Sequence, residues 1–168
     1  MSGLISFNKL RKYNVIAGIL HLLQAVIIFL ISKKFLLSIT GNYLSFNKFS
    51  RTLEPTSVNL FDLSLPLLIL IFFLLSAVAH FSVSTFYNHR YNQLLGSGIN
   101  KVRWLEYSLS ASIMMVAISL LVGIYDLASL IMIFSLTAIM NLMGLVMEVH
   151  NQTTAKTNWL SFFIGCLA

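Results

Sequence analysis

Four long apolar stretches govern what this 168-residue chain can become. They lie at about 13–32, 62–87, 100–124 and 126–148, and a helix needs about 20 apolar residues to cross a bilayer. Backbone in lipid must satisfy its own hydrogen bonds, so only helices and closed barrels span. The stretches are continuous rather than alternating, which predicts helices. Charged residues make up 10% of the chain, against about 25% in soluble domains. The expected fold is therefore all-α, a transmembrane helical bundle forming one domain over 1–168, integral to the membrane and multi-pass. A fifth apolar stretch, at about 158–168, stops at Ala168 without a flanking charge. It reads as an incomplete span, and the chain as the N-terminal part of a larger bundle.

The first stretch is too long for a signal-peptide core and lacks a small-x-small cleavage site, so it reads as a retained helix. The formal charge of +6 does not call for a nucleic acid, because the basic residues gather at span ends, where lipid headgroups and topology account for them. With the N-terminus inside, the inner segments hold Lys9, Arg11, Lys12, Arg90, Lys101, Arg103 and Lys156, against Lys33, Lys34, Lys48 and Arg51 outside. That bias favours a cytoplasmic N-terminus. The loop from Lys33 to Phe61 carries Gly41-Asn42 and the alternation Tyr43-Leu44-Ser45-Phe46, a weak hairpin signal. One cysteine, Cys166, excludes an internal disulfide. The sequon Asn151-Gln152-Thr153 falls in an inner loop and is discounted. No metal-ligand spacing, phosphate loop or nucleophile elbow is present, so no enzyme and no metal is expected.

Each span carries polar residues at helical offsets, which puts each set on one face. The sets are Asn14, His21 and Gln24; Ser76, His80, Ser84 and Tyr87; Arg103, Glu106, Tyr107 and Ser110, followed by Met114; and Thr137, Asn141, Gly144 and Glu148. Lipid penalises such groups, so these faces should meet. Counted from the inner ends at Tyr13, Tyr87, Asn100 and Glu148, residues His21, His80, Glu106 and Asn141 lie six to eight residues deep. That is roughly 10 Å at 1.5 Å per residue, and it places all four in one layer. Glu106 matters most, since an intramembrane carboxylate costs about 2.5–3.5 kcal/mol and normally has a function and a partner. Arg103 stands one turn before it, a spacing that suggests a charge site shielded from lipid.

Two imidazoles beside a carboxylate can hold and exchange a proton. They can also bind zinc as a two-His, one-carboxylate set, although no short ligand motif supports this, or they can be a hydrogen-bonded packing network. Met114, Met115, Met140 and Met143, with Trp104 and Tyr107, suit either core packing or a pocket for a flat apolar ligand. Gly144 beside Asn141 leaves space that favours the pocket.

These residues resemble a known family. Arg103-Trp104-Leu105-Glu106-Tyr107-Ser108-Leu109-Ser110-Ala111-Ser112 looks like the third-helix signature of the heliorhodopsins. The runs from Asn14 to Gln24 and from Met140 to Glu148 are similar to their first and fourth helices. The resemblance implies a microbial-rhodopsin-like seven-helix photoreceptor with a cytoplasmic N-terminus, truncated here within the fifth helix. It implies all-trans retinal, held as a protonated Schiff base by a lysine on the seventh helix. It also implies Glu106 as counterion and His21 and His80 as the proton-accepting pair. Ser76, Tyr107 and Ser110 fall near the Schiff base, with Arg103, Asn14 and Gln24 in the same polar network. Met114, Ala111, Met140, Asn141 and Gly144 match the polyene pocket. The family implies a homodimer that senses light for a downstream signalling partner rather than pumping ions.

The chain's lysines, at 9, 12, 33, 34, 48, 101 and 156, all stand at span ends or in loops, so none suits a mid-membrane Schiff base. Two other readings use the same residues. A proton or ion pathway would explain the Glu/His layer, but the stretches Val26–Leu30 and Leu67–Leu75 beyond it are mostly apolar. A membrane scaffold would leave Glu106 without a purpose.

Overall fold

The computed structural model describes residues 6–168. Helix α1 (Phe7–Ile31) leads into a hairpin of β1 (Leu36–Asn47) and β2 (Thr52–Ser64). Then follow α2 (Leu65–Ser84), the short α3 (Asn88–Gly96), α4 (Lys101–Leu121), α5 (Leu127–His150) and α6 (Leu160–Cys166). Helices α1, α2, α4 and α5 are long and apolar enough to cross a membrane. They pack in chain order, α1 on α2, α2 on α4, α4 on α5 and α5 on α6.

Small residues let the helices approach, as expected where lipid removes the usual hydrophobic drive between helices. On α1 the buried positions are Asn14, Gly18 and Ala25, one stripe facing α2. Gly18 takes the Phe81 ring, which a β-carbon there would meet at 3.0 Å. On α4 the buried positions include Ser108, Ser110, Ser112 and Ser119. Three of these hydroxyls donate to the backbone: Ser108 Oγ to the Leu105 carbonyl at 2.8 Å, Ser112 Oγ to the Ser108 carbonyl at 2.6 Å and Ser119 Oγ to that of Met115 at 2.8 Å.

Sequence chemistry also sets the helix ends. Pro66 occupies the first turn of α2, where its missing N–H costs nothing. At the other end of α2, Arg11 Nε donates to the Ser84 carbonyl at 2.8 Å, placing a cation on the negative end of the helix. Asp126 caps α5, accepting from the Ser129 N–H at 2.9 Å and the Ser129 hydroxyl at 3.0 Å. The second span is shorter than its apolar stretch. Asp62, Leu63 and Ser64 complete β2, and Thr85 to Tyr87 form a turn into α3. The first helix is longer than its stretch, beginning six residues earlier at Phe7.

The hairpin far exceeds its weak sequence signal. Its strands pair antiparallel from Leu36–Ser64 to Asn47–Thr52, with an irregularity between Ile39 and Thr40. Its root is tied to the bundle. The Thr40 N–H donates to the Tyr125 carbonyl at 2.9 Å, and Asn42 Nδ2 donates to Asp126 at 3.0 Å. Ile39 is fully buried against Leu120 and Leu130, with Leu37, Leu63, Leu68, Val116 and Leu127 around them. This is the one cluster of buried apolar side chains among the described residues, and it lies at the hairpin end.

Candidate functional site

The opposite end holds the polar layer. Ser76 on α2 donates its hydroxyl to Glu106 Oε1 on α4 at 2.7 Å. Such a short bond to a carboxylate is among the stronger kinds. On the next turn of α2, His80 Nδ1 lies 2.8 Å from Asn14 Oδ1 on α1. Asn14 Nδ2 donates to the Leu10 carbonyl at 3.1 Å, which turns the amide oxygen toward the ring. His80 therefore donates from Nδ1, and Nε2 is left as the acceptor of the neutral ring. His21 stacks on His80, with centroids 5.6 Å apart and planes 14° from parallel. Its own Nδ1 meets Gln24 Oε1 at 3.1 Å.

Beside this layer a cavity of about 140 Å³ is lined by Asn14, His80, Tyr91, Asn100, Arg103, Glu106 and Tyr107, together with Ala79, Val83 and Val102. Tyr91 was not legible as a site residue. It lies on α3, in a segment that reads as a connecting loop, and α3 folds it back until it is buried. Burial raises its phenol above the ordinary value, so it stays neutral and able to donate. A lone tyrosine in a polar nine-residue helix is the only sequence signal for it.

Arg103 departs from the expected charge site. Its guanidinium lies over the Trp104 and Tyr107 rings, 5.2 and 5.6 Å from their centroids. Among the described residues it makes no ion pair with Glu106, whose hydrogen bond comes from Ser76. A cation stacked on two rings is stabilised without a carboxylate, so one-turn spacing alone did not predict a pair.

The fourth-span residues also separate from the layer. Asn141 is buried, but its Nδ2 turns back to the Thr137 carbonyl at 2.8 Å, and α5 packs on α4 and α6 rather than on α1 or α2. Gly144 does not leave open space. The Trp104 ring rests against it, and a β-carbon at 144 would run into the indole. The indole Nε1–H is buried without a hydrogen-bond partner among the described residues. Glu148 accepts from the Asn100 N–H at 2.6 Å, so a carboxylate from α5 caps the start of α4. Asn100 itself accepts from the Arg103 N–H at 3.4 Å. Of the other expected pocket residues, Met114 and Met140 are exposed and Ala111 is half-buried; of the expected polar network, Tyr107 is exposed and Ser110 buried. Among the described residues no three His, Cys, Asp or Glu side chains form a group able to hold a metal ion.

The four spans and the intramembrane Glu/His cluster describe an integral, multi-pass membrane protein. No curated protein matches the chain. The family model described as Heliorhodopsin matches residues 10–168. The chain thus belongs to the heliorhodopsins, a family of retinal-binding membrane photoreceptors.

Proposed function

We propose that this chain supplies the counterion half of a light-sensing, non-pumping retinal site, with Glu106 balancing the charge of a protonated Schiff base. The observation that carries this reading is the Ser76–Glu106 hydrogen bond at 2.7 Å, on a cavity shared with His80. All-trans retinal, when bound through a lysine, supplies light absorption and a positive charge. The residues present fit such a group. Glu106 holds one hydrogen bond and no ion pair among the described residues, and a half-buried carboxylate on a membrane span without a cation is costly. Exposed Tyr107, Met114 and Met140 offer apolar and aromatic surface of the kind a polyene covers.

The chain's own residues divide the work. Ser76 orients the Glu106 carboxylate. Asn14 fixes the His80 ring so that Nε2 is free to accept a proton, and His21, stacked on it, can share that proton. Arg103 and Tyr107 close the polar end beside Tyr91. The excess of basic residues on that side supports a cytoplasmic N-terminus.

Every lysine sits at a span end or in a loop, where a charged amine favours water and headgroups. The attachment lysine is therefore assigned to a segment outside residues 1–168. Expressed alone with all-trans retinal, these residues should give no visible band that hydroxylamine bleaches. Joined to helices carrying a mid-span lysine, they should give one. A bleachable band from residues 1–168 alone would overturn the assignment.

A further inference from the structure

At the hairpin end of the bundle a groove of about 250 Å³ runs between α1 and α2. Its lower wall is apolar, made by Ile28 and Phe29 on α1 and by Pro66, Leu67 and Leu70 on α2. Its rim is polar, made by Ser32, Lys33, Lys34 and Ser64. The backbone holds the two sides together, since the Leu65 N–H donates to the Phe35 carbonyl at 3.1 Å. Both lysines are exposed, and no acidic residue lines the groove. The nearest carboxylate in sequence, Asp62, already accepts from Ser38 Oγ at 2.7 Å on the hairpin. Phe29 and Leu67 are exposed.

The rim lies where α1 ends and α2 begins, which for two spanning helices is headgroup depth. We propose that this groove is a binding site for one anionic phospholipid, with its phosphate between Lys33 and Lys34 and an acyl chain along Ile28, Phe29, Leu67 and Leu70. Charge complementarity at the rim and an apolar wall directly beneath it require both parts of a lipid. A free anion would use only the rim, and a neutral lipid only the wall. The site is independent of the retinal chemistry at the other end.

Native mass spectrometry of the purified protein with dioleoyl phosphatidylglycerol and dioleoyl phosphatidylcholine tests this. The chain should retain phosphatidylglycerol in preference. Each lysine near a membrane surface contributes roughly fivefold, so the paired change Lys33→Ser and Lys34→Ser should reduce that preference about 25-fold. The same change at Lys9 and Lys12, at the other end of α1, should leave it intact. Leu67→Trp, which fills the groove from an exposed position, should weaken binding with both lysines present. Inorganic phosphate at millimolar concentration should not displace the lipid. Equal loss in the Lys9/Lys12 control would mean that net charge alone attracts the lipid, and would overturn the site. So would indifference to Leu67→Trp together with displacement by phosphate, which would leave a simple anion site.

Discussion

The two ends of the bundle are built on opposite terms. At the hairpin end, Ile39, Leu120 and Leu130 are packed without polar content and the hairpin is tied down by Thr40, Asn42 and Asp126. At the other end, Asn14, His80 and Glu106 line a cavity, and single hydrogen bonds, Ser76 to Glu106 and His80 with Asn14, join the helices there. The first arrangement gains from close packing and tolerates little change. The second gives up packing for groups that can hold charge and exchange protons. The contrast predicts that substitutions at the hairpin end act on stability, and those at the polar end on photochemistry.

The largest stability effect is expected at Leu120. Leu120→Ala removes a fully buried side chain from the only apolar core among the described residues, and should cost about 2–5 kcal/mol, read as a lower melting temperature in detergent. An unchanged melting temperature would break the contrast. Next comes the seam between α4 and α5. Gly144→Ala places a methyl group against the Trp104 ring, a large group held between helices, and should cost about 1–3 kcal/mol by overpacking. Trp104→Phe keeps an aromatic wedge while deleting the unpaired buried N–H, so it should be neutral or stabilising by up to about 1 kcal/mol.

A smaller effect is expected at Asp126. The Ser129 N–H, then the Ser129 hydroxyl, with Asn42 adding to them, hold its carboxyl below the ordinary range. A depressed folded value stabilises the protein above the unfolded value, near pH 4, and that contribution is lost as pH falls through the lowered value. Asp126→Ala should therefore lower the melting temperature modestly at neutral pH, and the difference from the native protein should vanish in strong acid. A difference that persists there would mean that the cap acts through packing instead. At the polar end, His21→Ala with His80→Ala should change stability by only about 1 kcal/mol. In the retinal-bearing pigment the same pair should alter the proton-transfer steps that follow a flash. Native kinetics would reduce both rings to packing residues.

Much of this contrast was legible in the residues. The offsets between Asn14 and His21, and between Ser76 and His80, put them on facing helix sides, and lipid leaves such groups little choice but to meet. Counting from the span ends placed His21, His80 and Glu106 at similar depth, and the two rings do stack. What periodicity could not supply was contact across helices. That Trp104 fills the space at Gly144 depends on which helix is the neighbour, whereas Asn141 bonding back to Thr137 and Arg103 stacking on two rings of its own helix depend on side-chain rotamers that spacing does not fix. Tyr91 was hidden because α3 is short and polar and is held by its place between two spans. The hairpin was hidden because many of its apolar side chains, such as Tyr43, Leu44, Phe46 and Leu53, remain exposed and blur the alternation.

The central claim is that Glu106 balances a positive charge in the retinal-bearing pigment. It is tested most directly by titrating the visible absorption of that pigment toward alkaline pH, for the native protein and for Glu106→Gln. A nearby carboxylate favours the protonated Schiff base, so its removal should move the alkaline midpoint down by about 1–3 pH units and shift the absorption band. Two titrations that overlay, with unchanged colour, would contradict it.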